Sequence, residues 1–179
     1  MAKSDLTSFD RSRADALSTR AGAHLEGTLD GRGLRVGIAC ARFNGAITTR
    51  LLEGALDGLD ECSVGRSDVV IAWAPGAFEL PLVARALASA ATPVDAVIAL
   101  GAVIRGETGH YDFVAGECAR GLQHAQLTFA LPVVFGVLTT EDVDQALARS
   151  RPDHTNKGRE SALTAVEVAT LLRQAPLGR

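Results

Sequence analysis

Aromatic side chains make up only 4% of this sequence, so Ala, Val and Leu must supply the bulk of any core. Several of the few aromatics fall at expected strand ends or turns: Phe43, Phe78, Tyr111 and Phe113. That placement points to a use other than filling space. No apolar run nears the roughly 20 residues that span a bilayer. Met1 to Arg20 has no apolar centre and carries Asp5, Asp10 and Asp15. A membrane span and a secretory leader are therefore not expected, and a cytoplasmic protein is. Cys40, Cys62 and Cys118 are odd in number and lack metal or redox spacing, so buried thiols are expected. The formal net charge of -3 offers no surface for nucleic acid. Lysine is scarce too. Lys3 and Lys157 stand alone among many arginines, which singles out the one at 157 against a competing explanation of chance.

The common nucleotide and hydrolase signatures are missing as well. There is no Gly-x-x-x-x-Gly-Lys-Ser/Thr, no Gly-x-Gly-x-x-Gly after the first strand, no His-Glu-x-x-His and no Gly-x-Ser-x-Gly. Nucleoside triphosphates and dinucleotides are disfavoured as ligands.

What is present is a fourfold alternation of apolar runs with amphipathic segments. Strands are expected at 34–41, 68–73, 94–100 and 132–137. Helices are expected at 46–59, 77–90, 113–127, 143–148 and about 158–173. Asn44 is placed to cap the first of these helices, and the Thr139-Thr140 pair to cap the fourth. This alternation predicts a three-layer, doubly wound α/β sandwich with a four-stranded parallel sheet, flavodoxin-like in type. One domain is expected over 24–179, preceded by a disordered arm over 1–23. His24 to Leu29 alternates briefly before the Asp30-Gly31 turn and reads as a strand needing an edge, such as that of a neighbouring subunit.

In such sheets ligands bind beyond the carboxyl ends of the strands. The third strand runs into Gly101-Ala102-Val103-Ile104-Arg105-Gly106-Glu107-Thr108-Gly109-His110. The turn there opens a helix whose first N–H groups are unpaired and suit an anion such as phosphate. A histidine beside it can move a proton near neutral pH. The neighbouring turns contribute Phe43 and Asn44, then Phe78 and Glu79, a set suited to a planar heterocycle with a polar chain. Each has a plainer reading. Phe43 staples its helix, Phe78 packs in the core, Glu79 favours the helix dipole, His110 caps its helix, and Arg149 pairs with Glu141 or Asp142. His24, His124 and His154 receive no role.

Five blocks in order carry a resemblance: Arg42-Phe43-Asn44; Ala74-Pro75-Gly76-Ala77-Phe78-Glu79-Leu80-Pro81; Val103-Ile104-Arg105-Gly106-x-Thr108-x-His110-Tyr111-Asp112; Phe135 to Thr140; and Asn156-Lys157-Gly158. Together, from about His24 to Leu172, they resemble the lumazine synthases. That resemblance implies condensation of 5-amino-6-(D-ribitylamino)uracil with 3,4-dihydroxy-2-butanone 4-phosphate to 6,7-dimethyl-8-ribityllumazine, the penultimate step of riboflavin synthesis. It implies His110 as general acid/base. Phe43, Ala77, Phe78, Glu79, Ala102, Val103, Ile104, Phe135 and Lys157 would hold the pyrimidine and its ribityl chain. Glu107, Thr108 and Arg149 would hold phosphate. No metal and no cofactor are implied.

Phe135, Arg149 and Lys157 would come from a neighbouring subunit of a homo-oligomeric ring, a pentamer. The short loop before Asn156-Lys157 resembles that of members forming icosahedral shells, although it contains Pro152. Riboflavin synthase would be a partner in such a shell. Gly109 departs from the pattern, which often has Pro or Thr there. Three other readings remain: a flavin- or pterin-binding relative without turnover, a shell with the arm as docking segment, and a generic phosphosugar enzyme. The last would not need Phe43 and Phe78.

Overall fold

The computed structural model describes residues 9–174. Its elements run α1 (Arg11–Ser18), β1 (Val36–Ala41), α2 (Gly45–Glu61), β2 (Val69–Ala74), α3 (Leu80–Ala88), β3 (Ala96–Ile104), α4 (His110–Phe129), β4 (Val133–Thr140), α5 (Val143–Arg149) and α6 (Lys157–Gln174). The four strands form one sheet in the order β2-β1-β3-β4, and each neighbouring pair is parallel. The expected three-layer α/β architecture is therefore the observed one.

Strand residues alternate between two buried layers. Val36, Ile38, Cys40, Ile98 and Leu100 meet α2 and α6 through Leu51, Ala55, Leu59, Ala162 and Val166. Ala39, Ala41, Val97, Ala99 and Val137 meet α3 and α4 through Leu80, Ala84, Cys118 and Leu122. Both faces of β1 and β3 are covered, which explains why these strands read as continuous apolar runs. All three cysteines are buried and free. Burial pushes the thiol of Cys40 up to about 11 and that of Cys118 up to about 12.

Glycines set the spacing of the outer layers. A methyl group on Gly158 would overlap the backbone carbonyl of Leu51, so α6 starts in direct contact with α2. Asn156 seals this joint. It is 2% exposed. Its Nδ2 donates to the carbonyls of Arg50 (3.1 Å) and Arg151 (2.9 Å), and its Oδ1 accepts from the Gly158 amide at 2.8 Å. The Asn156-Lys157-Gly158 block is thus first a structural joint that presents Lys157 on the opening turn of α6.

The structure corrects the sequence reading at several places. The arm expected to be disordered over 1–23 holds helix α1, capped by Asp10 and tied to Glu26 through Arg11. Residues 1–8 of that arm lie outside the described residues. His24 to Leu29, read as a strand for an edge such as a neighbouring subunit's, joins none of the described strands of its own chain and runs along α6. The Thr28 amide donates to Thr170 Oγ1 (2.8 Å), and Gln174 donates to the Glu26 carbonyl (2.7 Å). Gly27 lies so close to Glu167 that a side chain would clash. β3 extends four residues past its expected end, because Gly101 to Ile104 continue pairing with Val137 to Thr140. The start of the second long helix is a 3₁₀ turn, Ala77–Glu79. Asp142, not a threonine, caps α5, its carboxylate accepting from the Gln145 amide at 2.7 Å.

Candidate active site

The carboxyl ends of β1, β2 and β3 turn outward side by side, and their backbones are tied together. Arg42 and Phe43, after β1, donate their amides to the carbonyls of Ala74 (2.9 Å), the last residue of β2, and Pro75 (3.0 Å), just past it. Asn44 adopts the left-handed conformation, with φ 58° and ψ 41°. Asparagine tolerates this region better than most residues. Its side chain does not cap α2, as the sequence suggested. Instead its Nδ2 donates to the Ala102 carbonyl at 2.9 Å, bridging the β1 turn to β3.

That bridge leaves Phe43 70% exposed at the rim, and Phe78 on the next turn is 55% exposed. Neither aromatic is core packing. Ala77 is buried and Glu79 closes the 3₁₀ turn, its amide donating to the Gly76 carbonyl at 3.3 Å. Glu79 is followed by Pro81 in the first turn of α3, where the missing N–H costs nothing.

The third wall is the turn from Arg105 to Gly109. His110 opens α4, a helix with no side-chain cap at its N-terminus. Its amide donates to Thr108 Oγ1 at 3.4 Å, so the threonine hydroxyl and the helix start lie together. Phe43, Asn44, Ala77, Phe78, Glu79, Ala102, Val103, Ile104, Thr108, His110, Tyr111 and Phe113 line one cleft of about 770 Å³. Its floor is apolar, one wall bears a carboxylate, and its far end is a helix N-terminus beside an imidazole.

Four of the expected site residues, Phe135, Arg149, Lys157 and Glu107, are not in this cleft. Phe135, Arg149 and Lys157 line a second depression of about 350 Å³, built on β4, the end of α5 and the start of α6. The two recesses share no lining residue. Arg149 donates to its own helix, to the Gln145 carbonyl at 3.0 Å, and not to Glu141 or Asp142. Lys157 pairs with Glu160 at 2.6 Å. Glu107 is exposed and lines neither recess. Asn44, Tyr111 and Phe113 join the cleft beyond the expected set. The signal for the two aromatics was their position just past a strand end.

Residues 33–173 match the family of 6,7-dimethyl-8-ribityllumazine synthase. The chain belongs to that family. The match spans all four strands and both recesses, and it leaves out α1 and the segment along α6. The family's activity is lumazine formation on the way to riboflavin. Among the described residues no helix is long and apolar enough to cross a membrane. Nor is any group of three or more His, Cys, Asp or Glu residues, among those described, placed to hold a metal.

Proposed function

We propose that this protein condenses 5-amino-6-(D-ribitylamino)uracil with 3,4-dihydroxy-2-butanone 4-phosphate, releasing water, phosphate and 6,7-dimethyl-8-ribityllumazine. One observation carries the reading: three separate turns bring Phe43, Phe78 and Glu79 into the same cleft as Thr108, His110 and the uncapped start of α4. The exposed face of Phe43 suits stacking against the pyrimidine. The Ala77–Glu79 turn and the ends of β3 suit hydrogen bonding to uracil and ribityl groups. The amides at Glu107 and Thr108, with the Thr108 hydroxyl, suit the ketose phosphate at the helix N-terminus.

The chemistry is amine attack on a ketone, loss of water to an imine, elimination of phosphate, and ring closure by the ribitylamino nitrogen on the remaining carbonyl with loss of a second water. His110 moves protons in these steps, and holding two substrates together lowers the entropic part of the barrier. The reaction is placed in the cytoplasm.

The second recess completes the site from another copy of the chain. Phe135, Arg149 and Lys157 of one protomer meet the cleft of the next in a ring, a pentamer or a shell built from pentamers. The division of the expected residues into two recesses that share no lining residue supports this reading. Riboflavin synthase, which consumes the product, is the proposed partner. Mixing the purified protein with both substrates and following lumazine fluorescence together with phosphate release tests the activity. Absence of both signals refutes it.

A further inference from the structure

Arg105 lies outside the cleft lining, yet it holds the turn that carries Thr108 and His110. It follows the last residue of β3, and its amide donates to the Thr140 carbonyl at 2.9 Å, which closes the β3–β4 ladder. Its guanidinium then reaches three ways. Nε meets Glu141, just past β4, at 2.8 Å. The two terminal nitrogens meet Asp112, in the first turn of α4, at 3.3 Å. The guanidinium carbon lies 3.9 Å from the centre of the Tyr111 ring, which itself lines the cleft. The intervening turn has little else to hold it. Gly106 and Gly109 have open space around them, and residues 106 to 110 are all exposed. Glu141 is in turn fixed from behind, its amide donating to Gln145 Oε1 at 3.2 Å.

We propose that Arg105 is a positioning residue of the reaction, setting the pitch of the 106–109 turn and of the first turn of α4 so that Thr108 and His110 face the cleft. This role rests on the synthase reading given above. The planar guanidinium is needed because it stacks on Tyr111 while reaching two carboxylates, a combination that a lysine ammonium does not reproduce. Exposed ion pairs add little to global stability. A small error in placing a reacting group nevertheless costs a large factor in rate. Loss of Arg105 should therefore be felt in turnover and in local mobility, and hardly at all in melting.

The test uses the full chain with Arg105→Met, Arg105→Lys and Glu141→Gln. For Arg105→Met, kcat is expected to fall roughly 10- to 100-fold. KM for the ketose phosphate should rise, and KM for the pyrimidine should stay within about twofold, because Phe43 and Phe78 stand on other turns. Arg105→Lys should not restore kcat, and Glu141→Gln should shift it the same way by less. Hydrogen exchange at residues 106–112 should quicken in Arg105→Met relative to the strands. An unchanged kcat in Arg105→Met, or exchange at 106–112 equal to wild type, overturns the proposal. So does full rescue by lysine. A wild-type protein that forms no lumazine instead refutes the synthase reading, and the exchange experiment still decides whether Arg105 holds the turn. If Arg105→Met does not fold, Glu141→Gln and Arg105→Lys give the same decision.

Discussion

Phe43 has its amide bonded to the neighbouring strand's turn while most of its ring faces outward. A ring held this way contributes little to folding and much to a flat ligand. Phe43→Ala should accordingly weaken binding of a ribitylaminouracil analogue by tenfold or more, on the order of 1–2 kcal/mol, with the melting temperature nearly unchanged. His110→Ala should do the converse. Its kcat should drop by about 10²–10⁴ while analogue affinity, read by titration calorimetry, holds. Equal losses of binding and rate would remove His110 from proton transfer. At this scale the sequence told a good deal, because aromatics at strand ends in an aromatic-poor chain have few structural uses. It could not tell what Asn44 does. Its position before a helix suggested a cap, and only the fold brings the Ala102 carbonyl within reach. Arg105 stood in the resemblance without a role for the same reason, since its partners Asp112 and Glu141 lie seven and 36 residues away.

Between elements, α2 and α6 meet backbone to backbone at Gly158. Gly158→Ala would drive a methyl group into the Leu51 carbonyl, and backbone cannot yield as a flexible side chain does. A loss of about 3 kcal/mol is expected in denaturant unfolding, and a stability equal to wild type would mean that α6 can shift. The same helix pair is crossed by Arg159 and Glu61, with Nε–Oε1 at 2.9 Å.

The Arg159 guanidinium holds the Glu61 carboxyl below its ordinary value. The unfolded chain therefore binds this proton more readily than the folded one. The contribution is present in full above the unfolded carboxylate value of about 4.3 and is lost as pH falls through the folded value. Because the pair is solvent-exposed, the effect is small and weakens with salt. Glu61→Gln should flatten the fall in melting temperature below about pH 4.3 relative to wild type. An unaltered acid profile would show that the pair is not felt. From residue 34 onward element types were legible from periodicity, whereas the ends of β3 and β4 were not. A strand's end depends on where its neighbour stops offering partners, and Gly101, one residue past the expected end, stays in the strand and leaves room for Leu80 of α3.

At the level of the whole molecule, the two recesses make a prediction about mixtures. If each site takes His110 from one protomer and Arg149 from the next, then His110→Ala and Arg149→Ala rings are each impaired. Rings reassembled from equal parts of both should regain up to about a quarter of the wild-type rate, the share of interfaces at which both groups are intact. A mixture no more active than the average of its parents would place the whole site within one chain. Sequence reasoning anticipated this division only through resemblance. Nothing in the spacing of Phe135, Arg149 and Lys157 says that they face away from the cleft. The fold makes that plain by setting them on β4 and its flanking helices.

The sheet has one more open margin, β2, where the chain's single tryptophan, Trp73, stands half uncovered beside Ile71. An indole in water emits further to the red than one against apolar groups. The protein thus carries an intrinsic, label-free optical gauge of whether that margin is occupied. Dilution of assembled material should move the emission to longer wavelength wherever association covers this edge, and leave it fixed wherever copies meet by other surfaces.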